Sequence, residues 1–241
     1  MVNSPTFIVS LSSGQSIDQR KKMNRSDAPI SGRPAPNSAF WDRVASRYSR
    51  KRIADEGAYE AKLAITREYL SPDMHLLELG CGTGGTALKH APFVKRVVAT
   101  DISPAMIEIA NQRRREANIR NVEFAVAPVE RLDFDENSFD MVLALSLLHL
   151  VEDRVEVLNE AVRILRPGGY FVSSTPCLDG TIGLMRHILP IGARIGLMPK
   201  VFMFTKAGLR GDIASAGLRI QRAFEPSDGR TLFVVAQKPR N

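Results

Sequence analysis

An apolar run that breaks into closely spaced glycines constrains this chain more than any other feature. Residues 76–85 read LLELGCGTGG. Its first half has the continuous apolar character of a strand buried on both faces. Its second half supplies Gly80, Gly82 and Gly84 around Cys81, an E-x-G-x-G-x-G pattern that starts at Glu78. Glycines let a backbone turn sharply and approach a ligand closely, and the helix that follows presents free N–H groups. Dinucleotide-binding turns use a comparable device but place two residues between their second and third glycines, where this chain places one.

The pattern around this turn alternates between strands and helices, the signature of a doubly wound parallel sheet. HLLELG, RVVATD, NVEFAVA, FDMVLALSL and GYFVSSTP read as five strands. Between them lie TALKHA, then SPAMIEIANQRRREAN with Ser103 as cap and Pro104 in its first turn, and DRVEVLNEAVRIL, stopped by Pro167, Gly168 and Gly169. LRIQRAF and TLFVVAQK close the chain around an Asp228-Gly229 pair suited to a hairpin turn. Ahead of the sheet, Phe40, Trp41, Val44 and Tyr48 recur at helical spacing, as do Tyr59, Leu63 and Ile65. Those helices over 39–70 either dock on the sheet or form a lid over a site. Residues 1–38, rich in Ser, Asn, Pro and Gly, read as a flexible segment, leaving 39–241 as one domain.

Asp101 ends the second strand, 17 residues after Gly84. A carboxylate there can accept both hydroxyls of a ribose, or it can cap the helix beginning near Pro104. Four segments, ELGCGTG, VVATDISPAMIEIA, FDENSFDMVLALSLLHL and RILRPGGYFV, appear in an order and spacing that resemble the class I S-adenosylmethionine-dependent methyltransferases that act on small molecules. The resemblance implies a Rossmann-like α/β fold: a seven-stranded sheet with an antiparallel last strand, helices on both faces and S-adenosylmethionine across the carboxyl ends of the first strands. By the same match, Glu78, Gly80, Cys81, Gly82 and Gly84 would surround the methionine and ribose, and Asp101 would hold the ribose hydroxyls. Ile102 and Met106 would flank the adenine. Leu145 and Ser146 would border the methyl group, and Tyr48 would reach the cofactor carboxylate from the lid. Where the family often has Gly-Asp after the third strand, this chain has Ala127-Pro128, then Val129 and Glu130. Pro128 lacks both carboxylate and N–H, so adenine recognition passes to the Ala127 backbone, Glu130 or another group.

Methyl transfer needs a nucleophile held in line, and a base is optional. The candidate base is His149 in LSLLHL, set against the alternative of a packed core histidine. Four scattered histidines and two cysteines, Cys81 and Cys177, give no metal spacing, and no metal is expected. After the fourth strand Ser146-Leu147-Leu148-His149 stands in place of an N-P-P-Y amine-methylating signature.

The formal charge of +7 is spread along the chain without interleaved aromatics, so no nucleic-acid partner is expected. From Gly180 to Gly211 the chain carries Arg186, Arg194, Lys200, Lys206 and Arg210 without an acid, among Leu, Ile, Met and Phe. Residues 178–207 therefore read as a substrate-side insertion that lines an apolar pocket, touches an anionic membrane face or simply packs on the sheet edge. No apolar run is long enough to cross a bilayer. The expectation is a cytoplasmic monomer or homodimer acting on a small or lipid-like molecule. A quinone-precursor or phospholipid methyltransferase and a non-catalytic nucleoside-binding protein stand as alternatives.

Overall fold

The computed structural model describes residues 38–130, 132–177, 192–194, 197–226 and 228–240. The N-terminal segment up to residue 37 and most of the stretch 178–207 lie outside them. Two helices, α1 (Ser38–Ser49) and α2 (Glu56–Arg67), precede the sheet. There follow β1 (His75–Leu79), α3 (Gly85–His90), β2 (Arg96–Asp101), α4 (Pro104–Glu116), β3 (Val122–Val126) and β4 (Phe139–Leu145). The chain closes with α5 (Arg154–Ile164), β5 (Leu165–Pro176), α6 (Lys206–Ser215), β6 (Arg219–Phe224) and β7 (Thr231–Gln237).

The helices begin where side chains satisfy the free N–H groups of a first turn. Asp55 accepts from Ala58 N for α2, Ser103 from Met106 N for α4, Asp153 from Val155 N and Glu156 N for α5, and Thr205 from Gly208 N for α6. Because Ser103 caps α4, Asp101 is free of that duty.

The seven strands form one sheet in the order β3-β2-β1-β4-β5-β7-β6. The first five are parallel neighbours, whereas β7 runs antiparallel between β5 and β6. Strand order reverses between β1 and β4, and a crevice opens beyond the carboxyl ends of strands at such a point. Alternation along β1 splits its leucines between the two faces. Leu77 and Leu79 join Val142, Ala144 and Phe171 in one core, while Leu76 joins Val97, Ala99, Met141 and Leu143 in the other. All three leucines are fully buried, and truncating such a residue to Ala costs about 2–5 kcal/mol. The glycine turn therefore hangs from a strand buried on both faces.

One boundary refines the sequence reading. β5 starts at Leu165, immediately after α5, instead of at Gly169: Leu165 pairs with Phe139 and Tyr170 with Met141, so Arg166 to Gly169 bulge between two registers. The Pro-Gly-Gly run thus stops the helix as expected but lies within the strand. The β6–β7 turn forms around Asp228, whose carboxylate accepts from Arg230 N, Thr231 N and Thr231 Oγ1.

Candidate functional site

The crevice is a cleft of about 860 Å³. This lies toward the upper end of the range for small-molecule sites and suits two small molecules side by side. Its floor is the glycine turn. Gly82 takes a left-handed φ of +53° and donates its N–H to Asp101 Oδ2 at 2.9 Å. Ser103 N donates to Oδ1 at 2.9 Å. Two backbone donors therefore hold the carboxylate in place while Asp101 lines the cleft. Burial raises its pKa, the Ser103 and Gly82 N–H groups lower it, and Asp42 raises it further, with a net upward shift.

Gly84 does a different job. It has φ +78°, and a Cβ there would meet the Phe124 ring at 2.6 Å and Ala110 Cβ at 2.9 Å. Glycine here lets α3 leave the turn above β3 and α4, and Gly84 itself is not part of the cleft lining.

Glu78 lies at the back of the cleft with 3% of its surface exposed, and its Oε2 has no hydrogen-bond partner. Burial pushes its carboxyl up to about 8; a backbone hydrogen bond from Ala87 opposes this and Asp101 adds to it. An orphaned buried carboxylate oxygen costs free energy until a donor reaches it. Tyr59 from α2 stands nearby, its hydroxyl hydrogen-bonded to Thr86 Oγ1 at 3.0 Å, and burial above all raises its pKa. Cys81 is a buried free thiol, and its pKa is pushed well up by burial and then by Glu78 and Asp101.

The two N-terminal helices both contribute residues to the cleft lining. Asp42 Oδ1 accepts from Ser103 Oγ at 2.6 Å and from Ala105 N at 3.1 Å, pinning α1 to the start of α4. At the other end of α1, Ser49 O accepts from Arg113 Nη2 at 2.7 Å while Arg113 Nη1 holds Thr83 Oγ1 at 2.7 Å. Thus fastened, α1 directs Trp41 and Tyr48 into the cleft, their rings 5.9 Å apart and edge to face. Nearly half of Tyr48 remains open to solvent, yet its surroundings raise the phenol pKa, through burial first and the Asp101 charge second.

Among the residues singled out from the sequence, Tyr48, Glu78, Gly80, Cys81, Gly82, Asp101, Ile102, Met106, Val129, Glu130, Leu145 and Ser146 share the lining of one cleft. Gly84, Ala127, Pro128 and His149 do not. The Ala127 N–H is committed to Asp101 O at 3.0 Å, whereas Val129 and Glu130 line the cleft together with Ile102 and Met106. Ser146 adopts φ +54°, uncommon for a residue with a side chain, where the chain turns over at the end of β4. His149 sits half-buried beside the cleft, its Nδ1 unpartnered, and burial lowers its pKa to about 4. At neutral pH it is uncharged and a weak base.

Sequence patterning missed Asp42, Lys62, Thr83 and Arg113, and marked Tyr59 only as one of a helical set. Asp42 follows the aromatic pair of α1, and Lys62 precedes Leu63 on the cleft side of α2, but their partners lie far along the chain, so spacing carried no signal for them. None of the described residues of 178–207 lines the cleft. Within that stretch Lys200 pairs with Glu152 at 3.2 Å and Lys206 with Glu225 at 2.7 Å. Among the described residues no cluster of His, Cys, Asp and Glu could hold a metal, and no helix is long and apolar enough to cross a membrane.

Residues 77–173 match the family model described as "Methyltransferase domain". A demethylmenaquinone methyltransferase of Clavibacter sepedonicus is 36% identical over 149 residues, 60% of each chain. The chain spans 60%, 53% and 44% of the lengths of three curated relatives it matches. In fold, it is similar to geranyl diphosphate methyltransferase solved with S-adenosylmethionine (TM-score 0.62, 20% identity, 74% of this chain and 84% of that one). It is also similar to the [4+2]-cyclase SpnF (TM-score 0.70, 18% identity, 88% of this chain and 100% of that one). One architecture thus carries more than one reaction, and the site must decide between them.

Proposed function

We infer that this chain, which carries a class I S-adenosylmethionine-dependent methyltransferase domain, binds S-adenosylmethionine and transfers its methyl group to a small apolar acceptor, through oxygen. The observation that carries the reading is the pair of carboxylates in one cleft: Asp101, fixed by two backbone N–H groups, and Glu78, with an orphaned buried oxygen. Those residues fit the cofactor. A ribose diol offers two donors to Asp101, an amino group offers donors to Glu78 Oε2, and Ile102 with Met106 gives an aromatic base an apolar wall. When bound, S-adenosylmethionine supplies a methyl group on a positively charged sulfur, ready for attack by a lone pair.

The residues contribute binding, orientation and the exclusion of water. Leu145, Ser146 and Leu147 border the middle of the cleft, and Trp41, Ile53, Leu150 and Val151 give it apolar walls. An apolar acceptor held there is desolvated and aligned, a geometric gain worth up to about 7–11 kcal/mol of barrier in well-oriented systems. No base is required from His149 where the acceptor is a carboxylate or an acidified phenol, because it enters the cleft already ionised, its proton left in bulk water.

Calorimetry with S-adenosylmethionine, S-adenosylhomocysteine and NAD, on wild type and Asp101→Ala, tests the reading. Expected are micromolar binding of both sulfur nucleosides, a loss of at least about tenfold in the variant, equivalent to about 1.4 kcal/mol, and no binding of NAD. A folded wild type that ignores both sulfur nucleosides overturns it.

A second reading, a lipid-quinone precursor as acceptor, is favoured by the name of the Clavibacter relative. It predicts flotation with anionic vesicles that is lost as salt rises; indifference to vesicles removes it.

A further inference from the structure

The cleft holds a cation that cofactor binding leaves without a task. Lys62 lies on α2, half-buried, and its Nζ donates to Ser174 Oγ at 3.2 Å. Ser174 is 3% exposed near the carboxyl end of β5. Both residues line the cleft together with Asp228 of the β6–β7 turn. No further hydrogen bond or ion pair engages the Lys62 ammonium among the described residues, so N–H bonds remain to be satisfied. Asp228 accepts three hydrogen bonds within its own turn and acts on Lys62 through its charge, without a hydrogen bond to it.

A partly desolvated ammonium without a bonded carboxylate is unfavourable by itself. Burial accordingly holds the Lys62 pKa below its ordinary value, opposed by Asp228 and then Asp55. An anion arriving in the cleft would relieve that cost. Glu78 and Asp101 line the β1 and β2 ends of the cleft, while Lys62 on α2 reaches Ser174 of β5, with Asp228 and Asp55 near it in the same lining but neither hydrogen-bonded to its ammonium.

We propose that Lys62 is the residue that reads the acceptor: its ammonium, steadied by Ser174, takes an ionised oxygen of the incoming molecule, and the chain thereby selects small apolar acids, phenolates or enolates over neutral analogues. The proposal rests on the methyltransferase reading for the word acceptor, but the anion site itself does not. A desolvated hydrogen bond to a charged group contributes about 1.5–3 kcal/mol, so the preference for the anion is about tenfold or more. A purely structural Lys62, present to anchor Ser174, would give no such preference.

The experiment compares 1-hydroxy-2-naphthoate with its methyl ester by fluorescence titration of the full chain at pH 7, with and without saturating S-adenosylhomocysteine. Wild type, Lys62→Met and Lys62→Arg are used, and S-adenosylhomocysteine binding and thermal melting serve as fold controls. Wild type is expected to prefer the acid by about tenfold or more, Lys62→Met to bring the ratio within about twofold with ester binding retained, and Lys62→Arg to keep most of the preference. The proposal is overturned by a wild-type ratio near one, by failure of both probes to bind, or by a ratio that survives in Lys62→Met. If Lys62→Met melts early, the Lys62→Arg ratio and the wild-type ratio decide. Absent S-adenosylhomocysteine binding to wild type would sink the methyltransferase reading, while the acid-to-ester ratio would still judge Lys62.

Discussion

The β1–β2 end of the cleft and the α2–β5 end are built by different means. At the first, Glu78, Gly82 and Asp101 lie within 24 residues of chain and are held by short connections: Gly82 N to Asp101, Ser103 N to Asp101. At the second, Lys62 meets Ser174 across 112 residues, and Asp228 arrives from a turn further on. The first end is set by strand termini that any chain of this topology brings together. The second depends on how helices and turns beyond the sheet happen to meet, and a shared fold can vary such regions while keeping its strand ends.

The largest expected effect sharpens the contrast through Glu78. In the folded protein its carboxyl holds a proton up to about pH 8, whereas the unfolded chain releases that proton near 4.5. The unfolded state therefore binds fewer protons across this window. The contribution of Glu78 is fully present below about pH 4.5 and is lost as pH rises through about 8, a decline on the order of 5 kcal/mol. Urea unfolding at pH 5, 6, 7 and 8 is expected to show this slope in wild type and a flatter one in Glu78→Gln; parallel curves would place the Glu78 charge in solvent. An amine paired with Glu78 would also expel its proton, so S-adenosylhomocysteine binding at pH 6.5 should release protons in wild type and none from this site in Glu78→Gln.

Next comes Gly84→Ala, which combines a left-handed backbone with a methyl group driven into Phe124. A loss of about 3 kcal/mol is expected, from about 1–2 for the backbone and about 1–3 for overpacking. A melting temperature close to wild type would mean that the turn yields easily and that the first end is less rigid than its hydrogen bonds suggest.

A smaller effect is expected at the joint between the helical cover and the sheet. Asp42→Ala removes the acceptor of Ser103 Oγ and Ala105 N, at a cost of about 1–2 kcal/mol. Because α1 carries Trp41 and Tyr48, affinity for S-adenosylhomocysteine should fall several-fold along with stability. Unchanged affinity in a destabilised variant would show α1 to be a prop and no cover. The smallest change is expected from His149→Gln. His149 is outside the lining and uncharged at neutral pH, so methyl transfer should stay within about threefold, well short of the 10²–10⁴ that a general base contributes.

Legibility in the sequence follows the same divide. The apolar run, the glycines and Asp101 could be read because a buried parallel strand and the turn after it leave local marks. Ser103-Pro104 announced α4 and, by taking the cap itself, settled the alternative role for Asp101. The bulge from Arg166 to Gly169 could not be read, since it arises from how β5 pairs with β4. Nor could the acid-free texture around Lys200 and Lys206 be judged locally, because Glu152 and Glu225 come to them from other segments. His149 looked eligible by residue type and position, and its burial beside rather than within the cleft follows from the path of the chain after Ser146.

The sequence by itself determined the alternation of strands and helices, the sharp glycine turn after β1, and the acid at the end of β2, because periodicity, glycine sterics and capping act over a few residues. Only the tertiary structure decided that Glu78 loses its solvent, that Asp42 fastens α1 to the start of α4, and that Lys62 faces Ser174 in the same cleft. Desolvation and contact between distant segments depend on what the rest of the chain excludes from the space around a side chain, and no local pattern records that.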